Sequence, residues 1–180
     1  MRYAQIRSMD ISNGEGVGVS LFVQGCDRHC FNCFNSETWD FNGGKEWTEE
    51  TKNKFIKLID RPYINRISIL GGEPLAEQNL DEVLSLIKEI RISFPKKSIW
   101  LYTGYELSEI IKQEQYEKVS GIPSVWSKRW KIISNIDVLV DGEYIDEQKD
   151  LTLKWRGSKN QNCIDVKKSL AQNKMVLYCD

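Results

Sequence analysis

Histidine occurs once in this chain of 180 residues and proline four times. Nowhere does an apolar run approach the about 18 residues that a membrane-spanning helix needs. The N-terminal MRYAQIRSMD has no apolar core, so neither a secretion signal nor an anchor is expected, and the chain reads as a soluble cytoplasmic protein. An excess of one charge is also missing: 25 Lys and Arg stand against 26 Asp and Glu, a formal net charge of -1. No block of like charge offers a field that would hold a phosphate backbone, so nucleic acid is not an expected partner. Repeats, low-complexity tracts and Gly/Ser/Pro-rich linkers are absent too, and residues 1–180 therefore read as one domain. What is plentiful is apolar: 41% hydrophobic residues exclude disorder and supply an ordinary core.

The apolar residues are arranged as strand alternating with helix. Residues 17–23, 67–70, 98–102 and 136–140 read as strands. Helices are expected over 48–59, with Glu49 and Glu50 in the first turn and Pro62 beyond the end, over 79–90, and over 106–119. In the second of these Leu80, Val83, Leu84, Ile87 and Ile90 share one face, and Asp81, Glu82 and Lys88 match the helix dipole. Such alternation predicts parallel βαβ units with right-handed crossovers. A complete (β/α)8 barrel takes about 250 residues, so the expected α/β fold is an incomplete TIM-type barrel of parallel strands with outer helices and an open side. Loops at the C-terminal ends of such strands collect ligands. Here they are the cysteine loop after the first strand, Gly71-Gly72 after the second, Thr103-Gly104 after the third and Asp141-Gly142 after the fourth.

The cysteines are five, an odd number, and three fall within eight residues as CDRHCFNC: Cys26, Cys30 and Cys33. That spacing is not a disulfide framework. Three thiolates so close can hold three corners of an iron–sulfur cube, leaving a fourth iron for a distant cysteine or for something else. A zinc knuckle is the competing reading, but zinc sites of this kind commonly use two separated ligand pairs, which this chain lacks. His29, inside the loop, reads as solvated rather than as the missing ligand, and Cys163 and Cys179 as ordinary thiols. Taken alone, Gly71-Gly72-Glu73-Pro74 is a tight strand-to-helix loop. Asp141-Gly142 and Arg156-Gly157-Ser158 combine charge with flexible backbone, which suits ligand contact and turn formation equally. Trp126, Ser127, Lys128, Arg129 and Trp130 form an aromatic and basic patch, and two tryptophans at i and i+4 belong more often to a core than to an interface.

Cys-x3-Cys-x2-Cys ending the first strand, followed by GGEP after the next, resembles the radical S-adenosylmethionine superfamily. Within it the chain is similar to the anaerobic ribonucleoside-triphosphate reductase activating proteins. The likeness runs through NGEG (13–16), SLFVQGC (20–26), CFNSETW (33–39), WLYTGY (100–105), DVLVDG (137–142) and LKWRGSKNQ (153–161). The resemblance implies an enzyme whose [4Fe-4S] cluster is held by Cys26, Cys30 and Cys33, with the fourth iron binding S-adenosylmethionine. It places cofactor contacts at Asn32, Cys33, Phe34, Gly71, Gly72, Glu73 and Thr103, where Glu73 either accepts from the methionyl ammonium or caps the following turn. It further implies reductive cleavage to a 5′-deoxyadenosyl radical, which is passed to a glycine of the large reductase subunit, with a flavodoxin- or ferredoxin-type electron donor. Activation of another glycyl radical enzyme, such as pyruvate formate-lyase, and a plain iron–sulfur electron carrier are the alternatives. Two departures from the pattern stand out: Asn32 precedes the third cysteine where many relatives have an aromatic residue, and Gly18 stands in a stretch that commonly carries an arginine.

Overall fold

The four strands and three helices expected from the apolar pattern are present, and further strands and helices that the pattern did not announce join them. The computed structural model describes residues 1–121 and 124–179. Its strands are β1 (Arg2–Asp10), β2 (Gly18–Val23), β3 (Lys45–Glu46), β4 (Arg66–Gly71), β5 (Ser98–Tyr102), β6 (Val138–Asp141), β7 (Asn162–Asp165) and β8 (Leu177–Cys179). The helices are α1 (Glu49–Ile59), α2 (Leu80–Ser93), α3 (Leu107–Ser120), α4 (Val125–Ile133) and α5 (Val166–Gln172).

All eight strands form one sheet in the order β3-β1-β2-β4-β5-β6-β7-β8. Its centre is parallel as expected, β2 with β4, β4 with β5 and β5 with β6. The expectation of parallel strands throughout is corrected at the flanks, where β1, β3, β7 and β8 pair antiparallel and make the sheet mixed. The physical reason at β1 is connection length: only residues 11–17 separate it from β2, too few for the crossover that parallel pairing requires.

Alternate strand residues face opposite sides. Val19, Leu21, Val23, Ile67, Ile69, Ile99, Leu101, Leu139 and Ile164 pack against Phe55 and Ile59 of α1, Val83, Leu86, Ile87 and Ile90 of α2, Ile110 of α3 and Ile132 and Ile133 of α4. The other face carries Trp100, Val138, Val140 and Cys163 as a second apolar cluster, beside buried Ser20, Arg66 and Ser68. Trp126 and Trp130 pack partly buried against the helix-side core, as two tryptophans one turn apart suggest. Arg129 between them is buried, donating from Nε to Leu75 O at 3.0 Å and from Nη2 to Tyr105 Oη at 2.9 Å. Among the described residues, no helix is long and apolar enough to cross a membrane.

Candidate active site

The cysteine loop leaves the end of β2 and is anchored by its backbone before the first thiol is reached. Gly25 N donates to Thr38 O at 2.8 Å and Cys26 N to Trp39 O at 3.0 Å. Gln24, buried beneath it, donates from Nε2 to Asp40 O at 2.8 Å and to Glu37 O at 3.2 Å. Later in the loop Cys33 N donates to Cys30 O at 3.2 Å, and Asn35 N points at Cys33 Sγ at 3.4 Å. Asn32 has a left-handed backbone, φ 54°, a conformation that Asn tolerates better than an aromatic residue does. Its side chain turns to Asp146, Nδ2 to Oδ2 at 2.9 Å.

The three thiols are free and half-buried, and all border one cavity of about 540 Å³. Its wall also includes Phe34, Gly71, Gly72, Glu73 and Thr103, so every sequence-expected contact except Asn32 meets there. His29 is exposed, its ring 4.7 Å from that of Trp39. Burial raises the Cys26 thiol above its ordinary value, and burial followed by the nearby Glu143 carboxylate pushes Cys30 up to about 11. Among the described residues, no three His, Cys, Asp or Glu side chains converge on a point that could hold a single ion.

The glycine pair also serves the junction between β4 and the cysteine loop. A Cβ on Gly72 would lie 2.5 Å from Gly25 O, and one on Gly71 2.8 Å from Phe22 Cα. The missing side chains therefore let β4 approach the cysteine loop, and Glu73 N and Gly72 N bond to Gly25 O at 2.8 Å and Val23 O at 2.9 Å. Glu73 is buried and spends its carboxylate on neighbours. Oε1 accepts from Thr103 Oγ1 at 2.7 Å and Leu75 N at 2.8 Å, and Oε2 from Gly104 N at 2.8 Å. Burial raises it above the ordinary carboxylate range, an effect these bonds offset only in part. Of the two roles open to Glu73, the turn is the one visible in its bonds: it joins the loops after β4 and β5.

Asp141 likewise spends its carboxylate on neighbours, accepting from Leu107 N at 2.9 Å, Asn162 N at 3.3 Å and Asn162 Nδ2 at 2.9 Å. Gln161 knits two cavity loops together, accepting from Gly157 N at 2.9 Å and donating to Gly142 O at 2.8 Å.

Two residues lay beyond sequence reasoning. Arg28 lines the cavity with its guanidinium 4.0 Å above the Tyr105 ring, near Glu73 (4.0 Å) and Glu143 (3.8 Å). Fully buried Arg66 donates to Asn13 O, Ser68 Oγ and Asp10 O, and so holds the loop whose Ser12 and Asn13 border the cavity. It stands opposite Gly18 in the β2–β4 register, where a Cβ would meet its guanidinium carbon at 2.7 Å. The glycine that departs from the pattern is thus the space that Arg66 fills. Among the described residues, Arg28 Nε, Arg156 Nε and Tyr102 Oη are buried polar atoms without a hydrogen-bond partner, and all three residues line the cavity, Arg156 at one of the positions that the sequence offered for ligand contact.

A family described as "4Fe-4S single cluster domain" matches residues 12–164. The chain is 38% identical over 163 residues to an anaerobic ribonucleoside-triphosphate reductase-activating protein of Salmonella typhi, with 89% of this chain and 96% of the relative covered. The protein of that name from Vibrio cholerae is also 38% identical with the same coverage, and that from Pasteurella multocida is 34% identical over 89% of this chain and 95% of its own length. The chain belongs to the family of anaerobic ribonucleoside-triphosphate reductase-activating proteins. In this chain the matched domain runs from just before β2 into β7 and contains the cysteine loop, GGEP and all but Arg7 of the cavity's lining. Iron–sulfur chemistry is thereby attached to the part of the fold where the free thiols gather.

Proposed function

We propose that this chain, acting in the cytoplasm as one domain over residues 1–180, activates an anaerobic ribonucleoside-triphosphate reductase by generating a glycyl radical on its large subunit. The observation that carries the reading is that Cys26, Cys30 and Cys33 border the same cavity as Gly71, Gly72, Glu73 and Thr103. A volume of about 540 Å³ lies in the range of small-molecule sites, about 300–1,000 Å³. Bound there, a [4Fe-4S] cluster and S-adenosylmethionine supply one-electron cleavage of the sulfonium to methionine and a 5′-deoxyadenosyl radical that takes hydrogen from glycine.

The residues fit that cargo. Thiols raised by burial need a compensating positive charge to ionise, and iron provides it. The unpartnered donors of Arg28, Arg156 and Tyr102 suit a carboxylate and hydroxyl groups, and burial keeps the Tyr102 phenol protonated. Phe34 and Cys33 form the near wall, Asn32 shapes the loop, and Glu73 with Thr103 holds the loops at a fixed spacing. In this reading the mixed sheet is taken as an incomplete barrel whose open side admits the glycine segment of the reductase, with a flavodoxin- or ferredoxin-type donor supplying the electron.

Anaerobically reconstituted protein is expected to hold about four iron and four sulfide. Ala at Cys26, Cys30 or Cys33 abolishes that content, whereas Cys163→Ala and Cys179→Ala leave it unchanged. Reduced protein, S-adenosylmethionine and the reductase subunit should give an organic radical with a doublet paramagnetic resonance signal. Deuterated glycine in the reductase should collapse the doublet and carry deuterium into 5′-deoxyadenosine. Unlabelled 5′-deoxyadenosine overturns direct abstraction, a radical with formate-lyase alone changes the target, and no cleavage of S-adenosylmethionine leaves an electron carrier.

A further inference from the structure

Cys163 and Cys179 take no part in the reading above, yet the fold brings them together. They stand directly opposite each other in the antiparallel β7–β8 ladder, which turns both side chains to the same face. Both are free thiols in contact with the cluster of Trp100, Val138 and Val140, Cys163 fully buried and Cys179 half-buried. Opposed residues in an antiparallel pair hold their Cβ atoms about 4.5–5.5 Å apart, close to the about 3.5–4.5 Å that a disulfide spans. The small adjustment falls on β8, a three-residue strand at the edge of the sheet that pairs only with β7. A register slip next to the pair already loosens the ladder there.

We propose that Cys163 and Cys179 form a reversible thiol–disulfide exchange site, whose oxidant is the disulfide of a small dithiol carrier or of glutathione. Exposure makes Cys179 the first to react. Its thiolate attacks one sulfur of the carrier disulfide, giving a mixed disulfide and one carrier thiol. The Cys163 thiolate then attacks Cys179 Sγ, the bond from Cys179 to the carrier breaks, and the second carrier thiol leaves. Two electrons pass to the carrier, and the two protons lost from Cys163 and Cys179 balance those on its thiols. Burial, then the neighbouring Cys179 sulfur, raises the Cys163 thiol and makes it the poorer nucleophile of the two, so its attack depends on the position of Cys179 directly opposite in the ladder.

The bridge has a structural consequence. Arg156 Nη1 donates to Cys179 O at 3.3 Å, and the Tyr178 ring lies 6.1 Å from that of Trp155. Trp155 and Arg156 both border the cavity. Stapling β8 to β7 therefore fixes one wall of the cavity, and reduction frees it.

The test uses reconstituted holoprotein equilibrated anaerobically with mixtures of glutathione and glutathione disulfide, then acid-quenched, alkylated and digested for mass spectrometry. The expected product is a linked Cys163–Cys179 peptide, two hydrogens lighter than the separate peptides and lost again under reduced glutathione. In Cys179→Ala, Cys163 stays alkylatable throughout. Wild-type Cys163 that remains alkylatable where a control dithiol is fully oxidised overturns the proposal, as does Cys163 bonded to glutathione or to a loop cysteine. Backbone amides of residues 177–179 should exchange about tenfold more slowly in the bridged form. Equal rates overturn the stapling of the wall, whether or not the cluster assignment holds.

Discussion

Glu73 is a carboxylate without a free oxygen, because Thr103, Leu75 and Gly104 use both. Thr103 is the exchangeable member of this set: its hydroxyl donates to Glu73 and accepts from Tyr105 N at 3.1 Å. Thr103→Val keeps the shape, removes a charge-assisted bond and strands a backbone N–H, for an expected loss of about 2 kcal/mol by urea unfolding at pH 7. The pH dependence follows from the raised native value. Stability is complete below the unfolded value of 4.5 and falls as pH rises through the native one. Since the Thr103 bond lowers the native value, the variant should extend that fall to higher pH, which carbon-labelled glutamate reads directly by magnetic resonance. Unfolding curves for the two proteins that run parallel with pH would remove Thr103 from the network.

Among elements, the junction of β4 with the cysteine loop is the tightest in the site. Gly72→Val would drive a side chain into Gly25 O, one residue before Cys26. Because the obstacle is backbone, the loop itself must move, and iron content should fall severalfold together with affinity for S-adenosylmethionine. Full iron content with wild-type affinity would show that the loop accommodates the change. How much of this was legible depended on the signal each element carries. Leu80, Val83, Ile87 and Ile90 recur at helical spacing and are buried on α2 as that spacing requires. By contrast β1 is half-buried or exposed except at Asp10, RYAQIRSMD offers little alternation, and its pairing with β2 makes it a strand. In α4 Lys128 and Arg129 interrupt the apolar pattern, and the buried guanidinium is explained only by Leu75 O and Tyr105 Oη, brought near from other elements. The cysteine loop, GGEP and Thr103 could be read because they are contiguous motifs. Arg66 with Asp10 could not, since 56 residues separate them and no spacing rule links the two.

At the scale of the molecule, Asp137 joins three elements: it accepts from Ile99 N of β5 at 2.8 Å, pairs with Arg91 of α2 at 2.7 Å, and meets Lys167 of α5. Burial alone would raise it, but the bonds from Lys167, Arg91 and Ile99 outweigh that and hold it below 3.8. Its stabilisation is therefore present above the unfolded value of 3.8 and is lost as pH falls through the lower native one. Asp137→Asn should cost about 2 kcal/mol at pH 7, and the gap to wild type should narrow below pH 3.8. A gap constant with pH would contradict the ionic role. The sheet's two outermost strands have a separate consequence. β8 has three residues and offers few unpaired backbone groups, whereas β3 has two and pairs only with Arg2 and Tyr3, so beyond Tyr3 the outer edge of β1 has no strand partner among the described residues. A short margin such as β8 discourages strand-to-strand pairing between copies on that side, so any association through the sheet has only the unpaired edge of β1 to use.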